Sequence, residues 1–267
     1  MNKKAKFKKI TGILAALLCI VLVFGCVNAF RANKPGNSDA APADATAGES
    51  SAVPTKTGST SATLVCAGDN LIHKAIYTQA KSRAGGNGYD FSYAYKDIAS
   101  YVSAADIAFL NQETVIVPSK EASSYPLFNS PKALLDEMTK IGFDVFNQST
   151  NHVMDKGLSG TLEDYELFHS YDNIILTGLY KTWDEMFMTK NDITFSFVGF
   201  SEYLNGLVVP KDSDLGLVYL TDTRHTKEEL YSTMQKMIDA AKKASDVVCV
   251  SMHWQTEDIT TPNASEK

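Results

Sequence analysis

Polar side chains that can bind metal ions or move protons follow four apolar, strand-like runs of the sequence. The runs cover residues 63–67, 107–110, 144–146 and 246–252. They lead, in chain order, into Gly68-Asp69-Asn70, Asn111-Gln112-Glu113, Ser149-Thr150-Asn151-His152 with Asp155 beyond, and His253-Trp254-Gln255-Thr256-Glu257. Because open α/β sheets bind ligands at the carboxyl ends of their strands, we expect these side chains to share one site. Carboxylate, carboxamide and imidazole groups suit Mn, Fe, Zn or Mg, so the pattern predicts a divalent-metal site.

Each of these groups also has a purely structural explanation. Asp69 after a glycine is typical of a turn, and Glu113 could belong to a solvated loop. Asn151 could cap the following helix, because asparagine is a good N-cap. His253 and the tryptophan after it could be a packed pair at a strand end. The occurrence of all four groups at strand ends favours a shared site over unrelated turns.

Three further histidines are weaker candidates. His73 follows Asp69 within one turn and could reach the same pocket, although a surface loop is the favoured position. His169 lies in a predicted helix and His225 precedes one, so both are interpreted as structural or solvated residues.

An alternation of strands and helices must position these side chains. Hydrophobic periodicity predicts additional strands at 173–176 and 193–199, the latter in a hairpin with residues 186–189, and helices at 91–104, 131–141, 158–170 and 227–243. This alternation indicates an α/β fold with a largely buried sheet.

The same motifs, in the same order and spacing, resemble those of the CapA family of capsule (poly-γ-glutamate) synthesis proteins. They are Ala67-Gly68-Asp69, then Ala105-Asp106 to Asn111-x-Glu113, then Thr150-Asn151-His152-x-x-Asp155-x-Gly157, then His253-Trp254. The resemblance extends over Thr63–Glu257, which is essentially all of the predicted domain, residues 63–267. It implies a calcineurin-like metallophosphoesterase-type fold, which is a four-layer αββα sandwich.

The resemblance also implies site residues. Asp69, Glu113, Asn151, His152 and His253 would hold metal, and His152 and His253 would be catalytic. Calcineurin-like enzymes usually carry Asp-x-His at the first motif, whereas Asn70-Leu71 follows Asp69 here, so a complete two-metal site does not carry over. The family continues beyond the His-Trp motif with a histidine-rich element, which implies that the C-terminal part of the fold is missing.

The N-terminus predicts export across a membrane. Five lysines within the first nine residues precede the apolar run 10–30, which is long enough to span a bilayer. An uncleaved signal anchor is favoured; lipoprotein processing at Cys26 and cleavage after Ala29 are the alternatives. Residues 31–62 contain no large apolar side chain, which predicts a disordered linker. An uncleaved anchor, a lipoprotein and a cleaved signal peptide would all place the domain on the extracytoplasmic face of the cell membrane.

The charge of the chain argues against nucleic acid as a binding partner. The net charge is −6, and without the five N-terminal lysines the rest of the chain carries −11, whereas binding to phosphate groups needs a basic surface. Cys66 and Cys249 are interpreted as buried free thiols.

Three functions stay open: synthesis or export of a capsule or related anionic envelope polymer alongside other synthase subunits, metal-dependent hydrolysis of a phosphoester or amide-type bond, or a non-catalytic envelope scaffold.

Overall fold

The computed structural model of the chain describes residues 60–211, 213–256, 261–264 and 266. The predicted anchor at residues 1–30 lies outside them, as does the predicted linker apart from its last three residues. Within these described ranges, no helix is long and apolar enough to cross a bilayer.

The first sheet has four parallel strands in the order β1-β2-β3-β4. The strands are β1 Leu64–Asp69, β2 Ile107–Asn111, β3 Val145–Asn147 and β4 Ile175–Thr177. Their last residues form one row across the sheet, because Asp69 pairs with Asn111, Asn111 with Asn147, and Asn147 with Thr177. Polar side chains that end neighbouring strands are therefore brought side by side.

The second sheet has three strands in the order β5-β6-β7, which are Phe187–Lys190, Ile193–Ser201 and Val247–His253. Strands β5 and β6 form the predicted hairpin. Asn191 and Asp192 in its turn both have positive φ, of 51° and 60°, as a type I′ turn requires. Strand β7 is parallel to β6 and ends at His253, opposite Ser201.

The two sheets pack face to face between helical layers. Ile107, Val145 and Ile175 of the first sheet share a core with Phe195 and Phe197 of the second. Strand residues on the opposite faces pack against helices instead. The helices are α1 Lys74–Arg83, α2 Ser92–Tyr95, α3 Ala99–Ala104, α4 Lys132–Ile141, α5 Gly157–His169 and α6 Lys227–Ala244, with a 3₁₀ helix at Trp183–Met186.

Each helical layer covers one sheet. Leu134 and Met138 of α4 share a core with Phe146 of the first sheet. Met237 and Ala241 of α6 pack against Val198 and Phe200 of the second sheet, as do the half-buried Met234 and Ile238. The order helix, sheet, sheet, helix confirms the predicted α/β sandwich.

Three details differ from the sequence-based expectation. The predicted helix 91–104 is divided into α2 and α3 by a turn. In this turn the Ile98 amide donates a hydrogen bond to the Tyr95 carbonyl at 3.0 Å. Helix α1 was not predicted, because Ala80 is its one buried residue and it has no apolar stripe. Cys66 is a free thiol but is exposed, since β1 lies at the edge of its sheet.

Candidate functional site

A cleft of about 1060 Å³ opens at the carboxyl ends of the strands and is lined by all five predicted site residues. Asp69 comes from the end of β1, Glu113 from the segment after β2, Asn151 and His152 from the turn after β3, and His253 from the end of β7. The remaining lining residues are Leu71, His73, Tyr125, Pro126, Leu127, Phe128, Tyr203, Asn205, Trp254 and Thr256. The site therefore draws on both sheets of the sandwich.

The side chains of Asp69, Asn111 and Asn147 form a hydrogen-bonded ladder along the end of the first sheet. Asn111 Nδ2 donates to Asp69 Oδ1 at 2.5 Å, and Asn147 Nδ2 donates to Asn111 Oδ1 at 2.7 Å. Both asparagines are buried. Because each amide is held by its neighbour, the ladder fixes the Asp69 carboxylate at the wall of the cleft. The sequence places Asn111 at the end of a predicted strand, but it gives no sign of this ladder or of the part that Asn147 plays in it.

Three possible metal ligands lie close together in the cleft, namely Glu113, Asn151 and His253. His253 Nε2 lies 3.0 Å from Asn151 Oδ1 and 3.8 Å from Glu113 Oε1. Two atoms bound at about 2.1 Å to one ion are roughly 3.0–3.4 Å apart in octahedral or tetrahedral geometry. The first distance falls in that range and the second is slightly longer.

The donor types also suit such an ion. A carboxylate oxygen, an amide oxygen and an imidazole nitrogen fit Mn, Fe or Zn. No cluster of three His, Cys, Asp or Glu side chains in the described part of the chain has metal-binding geometry. The set at this cleft combines one glutamate and one histidine with an amide, and its chemistry fits a divalent metal.

His152 is oriented by a buried carboxylate. Its Nδ1 lies 2.7 Å from Asp155 Oδ2, and the two side chains are 9% and 0% exposed. The same carboxylate oxygen accepts the backbone N–H of Phe128 at 2.7 Å, and the Phe128 ring packs edge-on against the imidazole, with centroids 4.7 Å apart. Because Nδ1 donates to Asp155, Nε2 is the nitrogen left for a ligand or substrate.

The segment after β6 also contributes to the site, although the sequence does not predict it. Tyr203 OH and Asn205 Oδ1 lie 3.3 Å and 3.2 Å from Asn151 Nδ2, and Asn205 Nδ2 lies 3.3 Å from His152 Nδ1. The available signal was the dipeptide Asn205-Gly206, a turn-forming pair in the segment that follows a buried strand. It predicts a turn but not what the turn contacts.

The other histidines occupy different positions. His73 is exposed in the loop before α1, as predicted, and it also lines the cleft, where it packs edge-on against Phe128 at 5.0 Å. His169 ends α5, where its Nδ1 donates to the Tyr165 carbonyl at 2.8 Å and its ring stacks on Tyr165. His225 lies 3.8 Å from Glu229 at the start of α6, where its side chain is half exposed. Neither His169 nor His225 lines the cleft.

The cleft has acidic character. Asp69 and Glu113 are its carboxylates, and none of the described residues that line it is lysine or arginine. An anionic group therefore meets no lysine or arginine among these residues, whereas a cation meets two carboxylates.

Comparison with known proteins identifies the family. Residues 63–267 match the family described as "Bacterial capsule synthesis protein PGA_cap", which is more than half of the chain and confirms the resemblance drawn from the motifs. No curated protein matches the sequence. The ladder, the cleft and the turn after β3 all lie within the matched region. The chain belongs to the PGA_cap family of bacterial capsule synthesis proteins.

Proposed function

We propose that this protein acts at the extracytoplasmic face of the cell membrane in the synthesis or export of a capsule polymer such as poly-γ-glutamate, through a cleft that binds a divalent metal. The family membership supports the role in capsule synthesis. The approach of His253 Nε2 to Asn151 Oδ1 and Glu113 Oε1 carries the metal-binding part. Glu113, Asn151 and His253 would hold the ion, and Asp69 lines the same cleft.

The chemistry that this cleft supports best is hydrolysis of a phosphoester or amide-type bond. When bound, a divalent metal supplies Lewis-acid stabilisation of negative charge developing on the attacked group. His152 lines the cleft, and Asp155 holds its ring through Nδ1, which leaves Nε2 as the nitrogen that can serve a substrate. As an imidazolium, His152 can give a proton to the leaving group, a role that general acids fill when they lie within hydrogen-bond reach.

The charge of the cleft supports a metal-dependent contact with an anionic polymer. Carboxylates of such a polymer would meet Asp69 and Glu113 without a lysine or arginine among the described lining residues. Like charges at close range are unfavourable, and a divalent cation between them reverses the sign of the interaction. Polymer binding is therefore expected to require metal.

The proposed location follows from the N-terminal sequence. Lysines at positions 3–9 followed by the apolar run 10–30 favour an uncleaved, single-pass signal anchor with the domain outside. Lipidation at Cys26 is the alternative, and it gives the same side of the membrane. Partners in this setting would be the membrane, other capsule-synthase subunits and the polymer.

Metal binding and turnover by the purified full chain test the proposal. We expect Mn²⁺ or Zn²⁺ to bind, and a panel of chromogenic phosphomonoesters, phosphodiesters and γ-glutamyl anilides to contain a substrate. Glu113→Gln should weaken metal binding and turnover, whereas the exposed Glu121→Gln should change neither. Metal binding without turnover of any panel member would favour the scaffold function over the hydrolase, and absence of metal binding would exclude both metal-dependent roles.

A further inference from the structure

The side-chain amide of Asn151 has a fixed orientation. Its Oδ1 faces His253 Nε2 at 3.0 Å, while its Nδ2 has two neighbours, Tyr203 OH at 3.3 Å and Asn205 Oδ1 at 3.2 Å. Both amide protons therefore have an acceptor. An asparagine binds a cation only through its oxygen, because the amide nitrogen is a donor with no available lone pair. The partners of Nδ2 thus decide whether Asn151 can serve as a ligand.

The segment that supplies these partners is anchored on both sides. Leu204, between the two contacting residues, is 1% exposed and lies in the main core. Asn205 and Gly206 have positive φ of 50° and 76°, and the Leu207 amide donates to the Leu204 carbonyl at 2.8 Å, which closes a tight turn. Asparagine followed by glycine is the pair that such a turn favours.

The same segment is tied to the strand that carries His253. The Glu202 amide donates to the His253 carbonyl at 2.9 Å, and the Gln255 amide donates to Glu202 Oε2 at 2.8 Å. Residues 202–205 therefore contact the backbone at His253 and the side chain of Asn151. A displacement of this segment would alter two of the three proposed ligands together.

We infer that Tyr203 and Asn205 are positioning residues, which hold the Asn151 amide with its oxygen directed at the metal. This inference rests on the proposed function, since it requires that Asn151 binds an ion. Without these two acceptors, the amide is free to rotate by 180° and present its donor nitrogen to the cation. Hydrogen-bond partners of metal ligands typically change metal affinity by about 10–100-fold when they are removed.

Calorimetry with Mn²⁺ on the full chain tests the inference. Tyr203→Phe and Asn205→Ala should each weaken binding severalfold, and the double variant by about 10–100-fold. Asn205→Asp should bind close to the parent, because its carboxylate still accepts from Asn151 Nδ2. Val208→Ala, an exposed position in the same loop, is the matched control and should bind as the parent does.

Two further readouts separate positioning from a general loss of structure. Without metal, the melting temperature of Tyr203→Phe should stay close to that of the parent although its affinity falls, whereas Asn205→Ala also carries a backbone cost at its positive φ. Exchange of the Asn151 side-chain amide protons, followed by NMR, should be slow in the parent and fast in the double variant.

The outcomes distinguish this inference from the proposed function. A parent that binds Mn²⁺ with a double variant that binds equally well would overturn the positioning role and leave the metal site standing. Equal losses in Val208→Ala would overturn it too. A parent that does not bind Mn²⁺ would reject the proposed function itself, and the inference with it.

Discussion

His253 and Asn151 are 102 positions apart in the chain, yet His253 Nε2 lies 3.0 Å from Asn151 Oδ1. The histidine ends β7 of the second sheet, and the asparagine follows β3 of the first. Their contact therefore depends on how the two sheets pack, and no local turn can produce it. The donor set that we propose for metal binding exists only when the sandwich is correctly assembled.

Close packing of the sheets at the cleft depends on Gly199. A Cβ added there would lie 2.2 Å from Asn147 Oδ1 and 2.9 Å from the Gly178 Cα, so the substitution Gly199→Ala would push apart the sheets and the asparagine ladder. We expect it to lower the free energy of unfolding by about 1–3 kcal/mol or more. Gly68→Ala, where no atom lies within 4 Å of the added Cβ, is the control and should be nearly neutral. Equal melting of the two variants in a denaturant titration would contradict this account.

The buried carboxyl group of Asp164 should make the free energy of unfolding depend on pH. This α5 side chain is fully buried, its Oδ1 accepts the Ile116 amide at 2.8 Å, and burial raises the pKa of its carboxyl to about 8. In the unfolded chain the carboxyl ionises near pH 4. Since the folded protein retains the proton to higher pH, the contribution of this group to stability is fully present below about pH 4 and is lost as pH rises to about 8.

The substitution Asp164→Asn should remove this dependence. The amide keeps the acceptor for Ile116 and does not ionise, so the variant should be more stable than the parent at pH 8, on the order of a few kcal/mol. The exposed Asp172→Asn is the control. Melting temperatures measured from pH 4 to pH 8 check this, and parallel profiles for Asp164→Asn and the parent would refute it.

Asp69 and His169 make a matched test of where the metal binds. Asp69 lines the cleft, whereas His169 lies at the end of α5 against Tyr165. Asp69→Ala should weaken Mn²⁺ binding about tenfold or more through loss of a carboxylate, and His169→Ala should leave it unchanged. Calorimetry on both variants beside the parent measures this. An unchanged Mn²⁺ affinity in Asp69→Ala would show that this carboxylate does not contribute to metal binding.

The membrane tether is tested in cells. If residues 10–30 are an anchor, the protein should sediment with membranes and its domain should be accessible to external protease. Recovery mainly in the medium would contradict both the anchor and the lipoprotein. A Cys26→Ser variant of unchanged size and membrane retention would distinguish the uncleaved anchor from lipidation.

The sequence predicted the parts of the site that depend on strand ends. Buried parallel strands appear as short apolar runs, and the register of the first sheet then places Asp69, Asn111 and Asn147 in one row. The contacts of Asn147 with its neighbours could not be predicted, because a side-chain ladder depends on rotamers that local patterns do not encode.

The loops were less predictable. Tyr203 and Asn205 reach Asn151 across more than 50 positions, and nothing in the local sequence encodes that contact. His73 enters the cleft because α1 starts beside it, a helix whose single buried residue leaves no periodic signal. The positions of His73 and of the Tyr203–Asn205 segment depend on long-range packing in the assembled core, which a local sequence pattern does not encode.

Anomalous diffraction from crystals of the protein soaked in Mn²⁺ tests the central claim most directly. We predict one strong peak within about 2.0–2.4 Å of Glu113 Oε1, Asn151 Oδ1 and His253 Nε2, at the cleft between the two sheets. The peak should disappear in Glu113→Gln crystals and persist in Glu121→Gln crystals. A Mn²⁺ peak bound elsewhere, with none among these three side chains, would contradict the proposed metal centre.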